Sequence, residues 1–382
     1  MIPELDEMVT PIQSINCSPF DKDAKRAHDS MEGTMLTICG KLSISSGRQS
    51  SPPYFLKHVI CILCAVATVS FLVEATHAAA PEEKDTGASL RSIVGYRDNF
   101  YDVEVQDAMN IWIVGRYGKI IASRDGGSSW TLQDSTTATE LYSVCFTDQD
   151  TGWVAGRQGT VLHTEDAGKQ WMKQTNATDK ALFSICFADE SRGIAVGEMG
   201  TIVSTADGGT TWSDHSLGED VMLYDVEYSS PDHAWIVGEY GTIVFSSDGG
   251  ATWDRKHIDT ISEEMLLLGV FFKDVQEGWI TGVNGTIFHT RDGGATWAKA
   301  SLSVSDHLLD LIVFGSNGWA VGLNGCVVAS HDGGETWEKK ECHIYDWISA
   351  IDFDADKRGV MVGGHGIALT TDSIATKWEY VK

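Results

Sequence analysis

The stretch VGRYGKIIASRDGGSSW, from Val114 to Trp130, joins a Gly-x-x-Gly pair, a short apolar run and an Asp-Gly-Gly turn that ends in tryptophan. Its last part returns along the chain at a period of about forty residues, which is the signature of a repeat architecture. We call each copy an Asp-box. The copies are Asp125 to Trp130, Asp166 to Trp171, Asp207 to Trp212, Asp248 to Trp253, Asp292 to Trp297, Asp332 to Trp337 and the degraded Asp372 to Trp378.

The Gly-x-x-Gly pair recurs in the same place in every repeat. A single pair would be a weak signal for a phosphate-binding loop, whereas seven pairs in register indicate a structural period. The pairs are Gly115/Gly118, Gly156/Gly159, Gly197/Gly200, Gly238/Gly241, Gly282/Gly285, Gly322/Gly325 and Gly363/Gly366.

One repeat contains four short β-forming segments. In the second repeat they are LYSVCF, GWVAG, GTVLHT and WMKQT, separated by turn residues. Four strands in about forty residues describe one propeller blade. The sequence therefore predicts an all-β fold, a seven-bladed β-propeller of four-stranded antiparallel blades with Asp-box turns. No helical apolar period appears after residue 81, so we expect no helix there.

Turn chemistry explains the Asp-boxes. The aspartate is expected to accept hydrogen bonds from nearby backbone N–H groups, the glycines to supply positive φ, and the tryptophan to pack over the hairpin. Catalysis and calcium binding are the alternative interpretations of these aspartates. We predict no catalytic residue, no metal site and no cofactor.

The front of the chain differs from the repeats. We interpret residues 1–53 as a disordered extension or a start assigned too far upstream. Residues 54–80 contain the apolar run VICILCAVATVSFLV and resemble a signal peptide, with an uncleaved membrane anchor as the alternative. Residues 81–97 form a linker in which Leu90 to Tyr96 are a candidate closing strand. The propeller is expected over 98–382, with repeats ending near 134, 175, 216, 257, 301, 341 and 382.

Charge and cysteine content narrow the partners. The formal net charge of −26 argues against nucleic acid and leaves basic proteins, metal ions and neutral ligands. Cys145 and Cys186 share one place in adjacent repeats and are expected to be small packing residues. The propeller also contains Cys326 and Cys342. A disulfide among these four cysteines is the alternative, and the sequence does not identify a pair.

The Gly-x-x-Gly turns should lie together on one face of the propeller, opposite the Asp-boxes. Arginines occupy their tips in the first two blades, glutamates in the next two and neutral residues in the rest. Our hypothesis is that this sorted ring contacts a partner; the alternative is that the tips are merely solvated. The candidate residues are Arg116, Tyr117, Arg157, Gln158, Glu198, Glu239, Tyr240, Asn284, Asn324 and His365.

Small or acidic residues share one position in the first strand of each blade. We expect them to let the inner strands approach the axis, and an axial metal is the alternative. They are Asp102, Ser143, Ser184, Asp225, Gly269, Asp310 and Ala350.

The repeat LYSVCF-DTGWVAGRQGTVLHTEDAGKQW resembles the Asp-box propellers of the photosystem II stability/assembly factor family, over about Asp98 to Lys382. That resemblance implies a lumenal or periplasmic seven-bladed propeller that assists early photosystem II assembly and is not an enzyme. It also extends to relatives in non-photosynthetic bacteria. The arginine-rich patch of the photosynthetic members is reduced here to Arg116 and Arg157, and residues 1–80 do not look like a chloroplast transit peptide.

Together these patterns predict an exported, non-catalytic, monomeric protein-binding propeller. Its expected partners are subunits or precursors of a membrane complex on the extracytoplasmic side, in the periplasm or, in a phototroph, the thylakoid lumen. Membrane contact is expected only through residues 54–80 if these are uncleaved. The alternative function is a carbohydrate-active Asp-box protein, a glycosidase or glycan binder, which would need an Asp/Glu pair at the right separation.

Overall fold

Each repeat folds into four consecutive antiparallel strands, and seven such sheets follow one another along the chain. This computed structural model describes residues 88–371 and 378–381. The innermost strands of successive sheets pack side by side, and the last of them, in the seventh sheet, packs against the first. The predicted all-β, seven-bladed propeller is confirmed.

The blades comprise strands β1 to β28 in chain order. Blades one to four contain β1 (Phe100–Val105), β2 (Ile111–Gly115), β3 (Ile120–Ser123), β4 (Thr131–Gln133), β5 (Leu141–Phe146), β6 (Gly152–Gly156), β7 (Thr160–Thr164), β8 (Met172–Lys173), β9 (Leu182–Phe187), β10 (Gly193–Gly197), β11 (Ile202–Thr205), β12 (Ser213–Asp214), β13 (Leu223–Ser230), β14 (His233–Gly238), β15 (Ile243–Ser246) and β16 (Asp254–Lys256). Blades five to seven contain β17 (Leu267–Phe272), β18 (Gly278–Gly282), β19 (Thr286–Thr290), β20 (Ala298–Lys299), β21 (Leu308–Phe314), β22 (Asn317–Gly322), β23 (Val327–Ser330), β24 (Glu338–Lys340), β25 (Ile348–Phe353), β26 (Gly359–Gly363), β27 (Ala368–Thr371) and β28 (Trp378–Tyr380).

The second strand of each blade is buried almost throughout, because neighbouring blades cover both of its faces. All five residues of β6, GWVAG, are buried. Trp153 stacks on Phe187 of the next blade with ring centroids 3.6 Å apart. Trp112 makes the same contact with Phe146 at 3.7 Å. These interlocked aromatic pairs bury large apolar areas between blades, so a single blade lacks a core of its own.

The Asp-box turns have the predicted hydrogen bonds and one further partner. Asp125 accepts bonds from the backbone N–H and the hydroxyl of Ser129, both at 2.7 Å. Gly126 and Gly127 have φ of 68° and 86°, which glycine adopts without strain. The Ser123 hydroxyl donates to Asp125 at 2.9 Å and accepts from the Gly127 N–H at 2.8 Å. The equivalent hydroxyls in blades two to six, which we did not predict, belong to Thr164, Thr205, Ser246, Thr290 and Ser330.

The seventh blade is built from one continuous segment of chain, without strand exchange. It is joined to the first blade by the Val105 N–H, which donates to Asp352 at 2.7 Å. The Ser349 hydroxyl adds a bond to the Phe100 carbonyl at 3.0 Å. The degraded box from Asp372 falls outside the described residues except for Trp378, which is half-buried.

The linker corrects two of our expectations. Leu90–Ile93 form a one-turn helix, α1, so Leu90 to Tyr96 do not form the candidate closing strand. Leu90 is buried in the core cluster shared by blades one and seven, so the helix forms although its sequence shows no helical period. The expectation of no helix after residue 81 was therefore wrong. Before α1, Ala88 pairs with Trp130 of the first blade.

The predictions for residues 1–53 and 54–80, and for 81–87 of the linker, lie outside the described residues. Within the part of the chain that the structure describes, no helix is long and apolar enough to cross a membrane.

We predict that Asp125→Ala lowers the free energy of unfolding by about 1–2 kcal/mol, because it removes the acceptor of three hydrogen bonds. Urea denaturation followed by tryptophan fluorescence measures this change. The matched control is Asp259→Ala in a blade link, where the side chain is 98% exposed. We expect that control to change stability by less than about 0.5 kcal/mol. Equal losses in both variants would contradict the structural role of the Asp-box.

Candidate functional site: the GxxG face and the axis

The Gly-x-x-Gly turns and the links between blades lie on one face, which we call the GxxG face. Backbone bonds tie the two sets together, such as Gly159 N–H to Lys180 O at 2.7 Å and Gly200 N–H to Val221 O at 2.6 Å. The Asp-boxes and the loops between the first two strands of each blade lie on the opposite face, because the strands alternate in direction. This is the arrangement predicted from the sequence.

The third residue of every Gly-x-x-Gly motif, just before the second glycine, has a left-handed backbone. These φ values run from 55° to 62° at Tyr117, Gln158, Met199, Tyr240, Asn284, Asn324 and His365. Several are exposed and bulky: Tyr117 is 52% exposed, Met199 46% and Tyr240 52%. Bulky residues are uncommon at positive φ. The face therefore carries large apolar groups on a fixed backbone.

The sorted charges at the tips make local contacts that the sequence did not show. Arg157 pairs with the buried Glu140 at 3.4 Å, so its charge is partly neutralised. The Arg116 guanidinium lies 4.7 Å from the ring centre of Tyr117, a cation–π contact. In blades three and four, Glu198 and Glu239 each accept a hydrogen bond from the backbone N–H of the residue just before the inner strand of the same blade.

The neutral tips of blades five to seven are tied to their neighbours. The Asn284 N–H donates to His307 at 3.1 Å, and the Asn324 amide donates to Asp306 at 3.0 Å. His365 bonds to Asp346 and stacks on Tyr96 with centroids 4.4 Å apart. The hydrogen bond to Asp346 raises the pKa of His365. All the predicted residues thus lie on one face, although those of blades five to seven mainly hold its loops.

Five aromatic side chains form a continuous series on this face, and we call them the aromatic arc. Its consecutive ring centroids are 6.0 Å apart for Trp347–Tyr101, 5.3 Å for Tyr101–Tyr142, 5.7 Å for Tyr142–Phe183 and 6.2 Å for Phe183–Tyr224. All five are half-buried. Four of them follow the first residue of an inner strand, where the register shifts by one.

The arc was missed by sequence reasoning, although a signal was present. The second residue of the inner strand is aromatic in FYDVEV, LYSVCF, LFSICF and LYDVEY. The predictions from the sequence rested on the residue after it and, among aromatic residues, on spare tryptophans only. Burial, and then the charge of Glu140, raise the pKa of Tyr101 to about 12. Tyr101 is therefore an uncharged phenol in a partly dry part of the face, near the carboxylate of Glu140.

Below the arc, side chains facing the axis join neighbouring blades. Each such latch is an inner-strand carboxylate or hydroxyl that accepts a backbone N–H from the next blade. Asp102 accepts from Val144 at 2.9 Å, and Ser143 accepts from Ile185 at 3.2 Å. The other latches are Ser184 to Val226, Asp225 to Val270, Asp310 to Ile351 and Asp352 to Val105. Five of the seven predicted small or acidic residues thus bind the next blade, whereas Gly269 and Ala350 have no side-chain acceptor and Asp352 makes the latch of blade seven.

The latch carboxylates repel one another and are enclosed by the inner strands. Burial raises the pKa of Asp102 to about 6 and that of Asp225 to about 7, against the hydrogen bonds that favour the charged form. Burial also raises the pKa of Asp310 and Glu227. In the described part of the chain, no group of three or more His, Cys, Asp or Glu side chains is placed to hold a metal ion.

The cysteines of the described residues are free thiols. Cys145 is half-buried and its sulfur accepts the Phe187 N–H at 3.3 Å. The Cys186 thiol donates to the carboxylate of Glu227, on the inner strand of the next blade, with sulfur and oxygen 3.8 Å apart. Both therefore pack between inner strands. Cys326 is fully buried, and the Cys342 thiol donates to the Gly325 carbonyl at 3.1 Å.

The family model described as "Photosynthesis system II assembly factor YCF48" matches residues 91–177, 214–308 and 297–382. The chain belongs to this family. The YCF48 match includes the first and the last repeats of the propeller. It confirms the family resemblance seen in the repeat sequence. No curated protein matches the chain.

Two solved YCF48 structures resemble the chain. "YCF48 bound to D1 peptide" has a TM-score of 0.62 and 22% identity, over 78% of this chain and 100% of that chain. YCF48 from Cyanidioschyzon merolae has a TM-score of 0.61 and 18% identity, over 72% and 96%. The GH74 xyloglucanase from Xanthomonas campestris is similar in fold, with a TM-score of 0.62 and 10% identity over 76% and 54%.

We predict that the propeller becomes more stable as pH falls from 8 to 5. Each raised carboxyl pKa means that the folded state binds more protons than the unfolded state between the unfolded value, near 3.9, and the folded value. The free energy of unfolding should rise by on the order of 2 kcal/mol over this interval, as measured by urea denaturation. Below about pH 4 the trend should reverse, as the Asp-box carboxylates protonate. Hydrogen bonds from Thr252 and Thr336, for example, lower the pKa of Asp248 and Asp332 to about 2.

The control for this prediction is Asp225→Ser, since Ser143 and Ser184 make the same latch with a hydroxyl. This variant should fold and show a smaller gain in stability on acidification. An unchanged pH slope in D225S would contradict the assignment of the effect to the axis.

Proposed function

We propose that this chain is a non-catalytic assembly factor that holds a segment of a membrane-complex subunit or its precursor on the GxxG face. The observation that carries the proposal is family membership combined with this face, which presents the aromatic arc and charged tips on a rigid ring. One similar structure is a YCF48 bound to a D1 peptide. In a phototrophic host, the proposed client is therefore a reaction-centre protein of photosystem II.

The arrangement suits an extended peptide. Inner strands fixed by latches hold the arc in place, so little conformational entropy is lost on binding. Aromatic rings offer stacking and apolar contact, and polar groups at the tips give orientation. We propose that binding takes place outside the cytoplasm, on the basis of the signal-like segment at 54–80.

The carbohydrate-active alternative is supported only by the Asp-boxes and by the fold likeness to GH74 enzymes. It predicts hydrolysis of xyloglucan or aryl glycosides by the purified propeller. Our proposal predicts no turnover above that of a heat-denatured sample.

The direct test uses an array of overlapping peptides that tile the D1 protein sequence. Wild-type propeller should bind a short contiguous set, measured by fluorescence anisotropy. Arg116→Glu/Arg157→Glu should weaken that binding by about tenfold, because it reverses the charge of blades one and two. The milder pair R116Q/R157Q should weaken it less.

The matched control is Lys169→Glu/Lys299→Glu, which makes the same change in net charge away from the GxxG face. Thermal melts verify that each variant folds. Unchanged binding by folded R116E/R157E would show that the arginine tips play no part. The proposed function is wrong if no D1 peptide binds the wild-type propeller and cross-linking in native membranes captures no membrane subunit.

A further inference from the structure

Blades three and four carry two glutamates in the same fixed arrangement. Glu198 accepts the Ala181 N–H at 3.2 Å, and Glu239 accepts the Met222 N–H at 3.0 Å. The two contacts span the same distance in sequence, so the repeat geometry holds both carboxylates in one orientation. The Tyr224 hydroxyl adds a bond to the second oxygen of Glu239 at 3.3 Å.

These glutamates lie at one end of the aromatic arc. The rings of Phe183 and Tyr224 are inclined by 28° to each other, with centroids 6.2 Å apart. The exposed tips Met199 and Tyr240 follow Glu198 and Glu239 directly. Aromatic faces beside carboxylates form the surroundings that a cationic side chain prefers, because ring quadrupole and carboxylate charge both attract it.

The basic groups of this region are already engaged. Arg157 pairs with Glu140, and Arg255 pairs with Glu219 at 2.8 Å. Lys180, in the link before blade three, pairs with Asp179 at 3.2 Å. Arg116 lies at the other end of the arc, over Tyr117. The blade three and four end is therefore negative, on a chain whose net charge is −26.

We propose that Phe183, Tyr224, Glu198 and Glu239 form a subsite for an arginine or lysine side chain of the peptide that binds the GxxG face. The inference rests on the proposed function and names a chemical requirement of the ligand. The occupant is a peptide because the arc continues through Tyr142 and Tyr101 to Trp347. That track accommodates several residues of one extended chain, whereas a small free cation would leave most of it uncovered.

The test selects a displayed library of random ten-residue peptides on the wild-type propeller. Selected peptides should share a lysine or arginine, and changing that residue to glutamine should weaken binding about tenfold. Glu198→Gln/Glu239→Gln should bind the basic peptide about tenfold less tightly than wild type. It should also be indifferent to the lysine-to-glutamine change. Glutamine oxygens can still accept the Ala181 and Met222 N–H groups, so the turns should keep their shape.

The control pair, Glu190→Gln/Asp232→Asn, removes the same charge from loops of the opposite face and should leave selection unchanged. Selected peptides without a basic residue, or basic peptides bound equally by E198Q/E239Q, would overturn the subsite and leave the proposed function intact. Selection of no peptide at all would overturn the subsite, and only the tiled D1 array and the cross-linking decide the proposed function.

Discussion

The structure depends on one repeated hydrogen bond, in which an inner-strand carboxylate or hydroxyl accepts a backbone N–H from the next blade. Blades of four strands cannot bury both faces alone, and a propeller is stable only when its neighbours supply the missing cover. The latches from Asp102, Ser143, Ser184, Asp225 and Asp310 hold the inner strands of blades one to four and six against the inner strand of the next blade. Where blade seven has Ala350, Asp352 makes the closing bond to Val105.

The latches have an electrostatic cost that shapes the rest of the axis. Carboxylates that lie close together around the propeller axis repel one another and lose hydration, so their charged forms are disfavoured. Serines replace aspartates in blades two and three, and Gly269 replaces one in blade five, which spreads the remaining charges round the ring. The same construction fixes the residues just above, so the aromatic arc has a rigid base.

Much of the fold could be predicted from the sequence because the repeat is nearly intact at its turns. The Asp-box fixes one hairpin and the Gly-x-x-Gly pair fixes another, and because the two alternate along the chain, the sequence alone assigns them to opposite faces. The local environment of the tips was not predictable in the same way. The pairing of Arg157 with Glu140, and the bond from Ala181 to Glu198, join residues 17 apart in sequence.

The aromatic arc was harder to predict, because it joins residues of five blades: four are about forty residues apart in sequence, and Trp347 comes from the last blade. Four of its five members lie at a register shift, so simple alternation along the strand does not show which side chains reach the face. Helix α1 escaped prediction for a related reason. It has only four residues, Leu90 to Ile93, of which Leu90 is buried, and so short a helix shows no apolar period.

The most direct measurement is amide hydrogen exchange of the propeller with and without a bound peptide from the tiled array. If the GxxG face holds the client, protection should increase at the tips and inner-strand entries of blades one to four. Amides of the Asp-box turns, such as Gly127 and Gly209, should be unaffected. Protection confined to the Asp-box face would contradict the account.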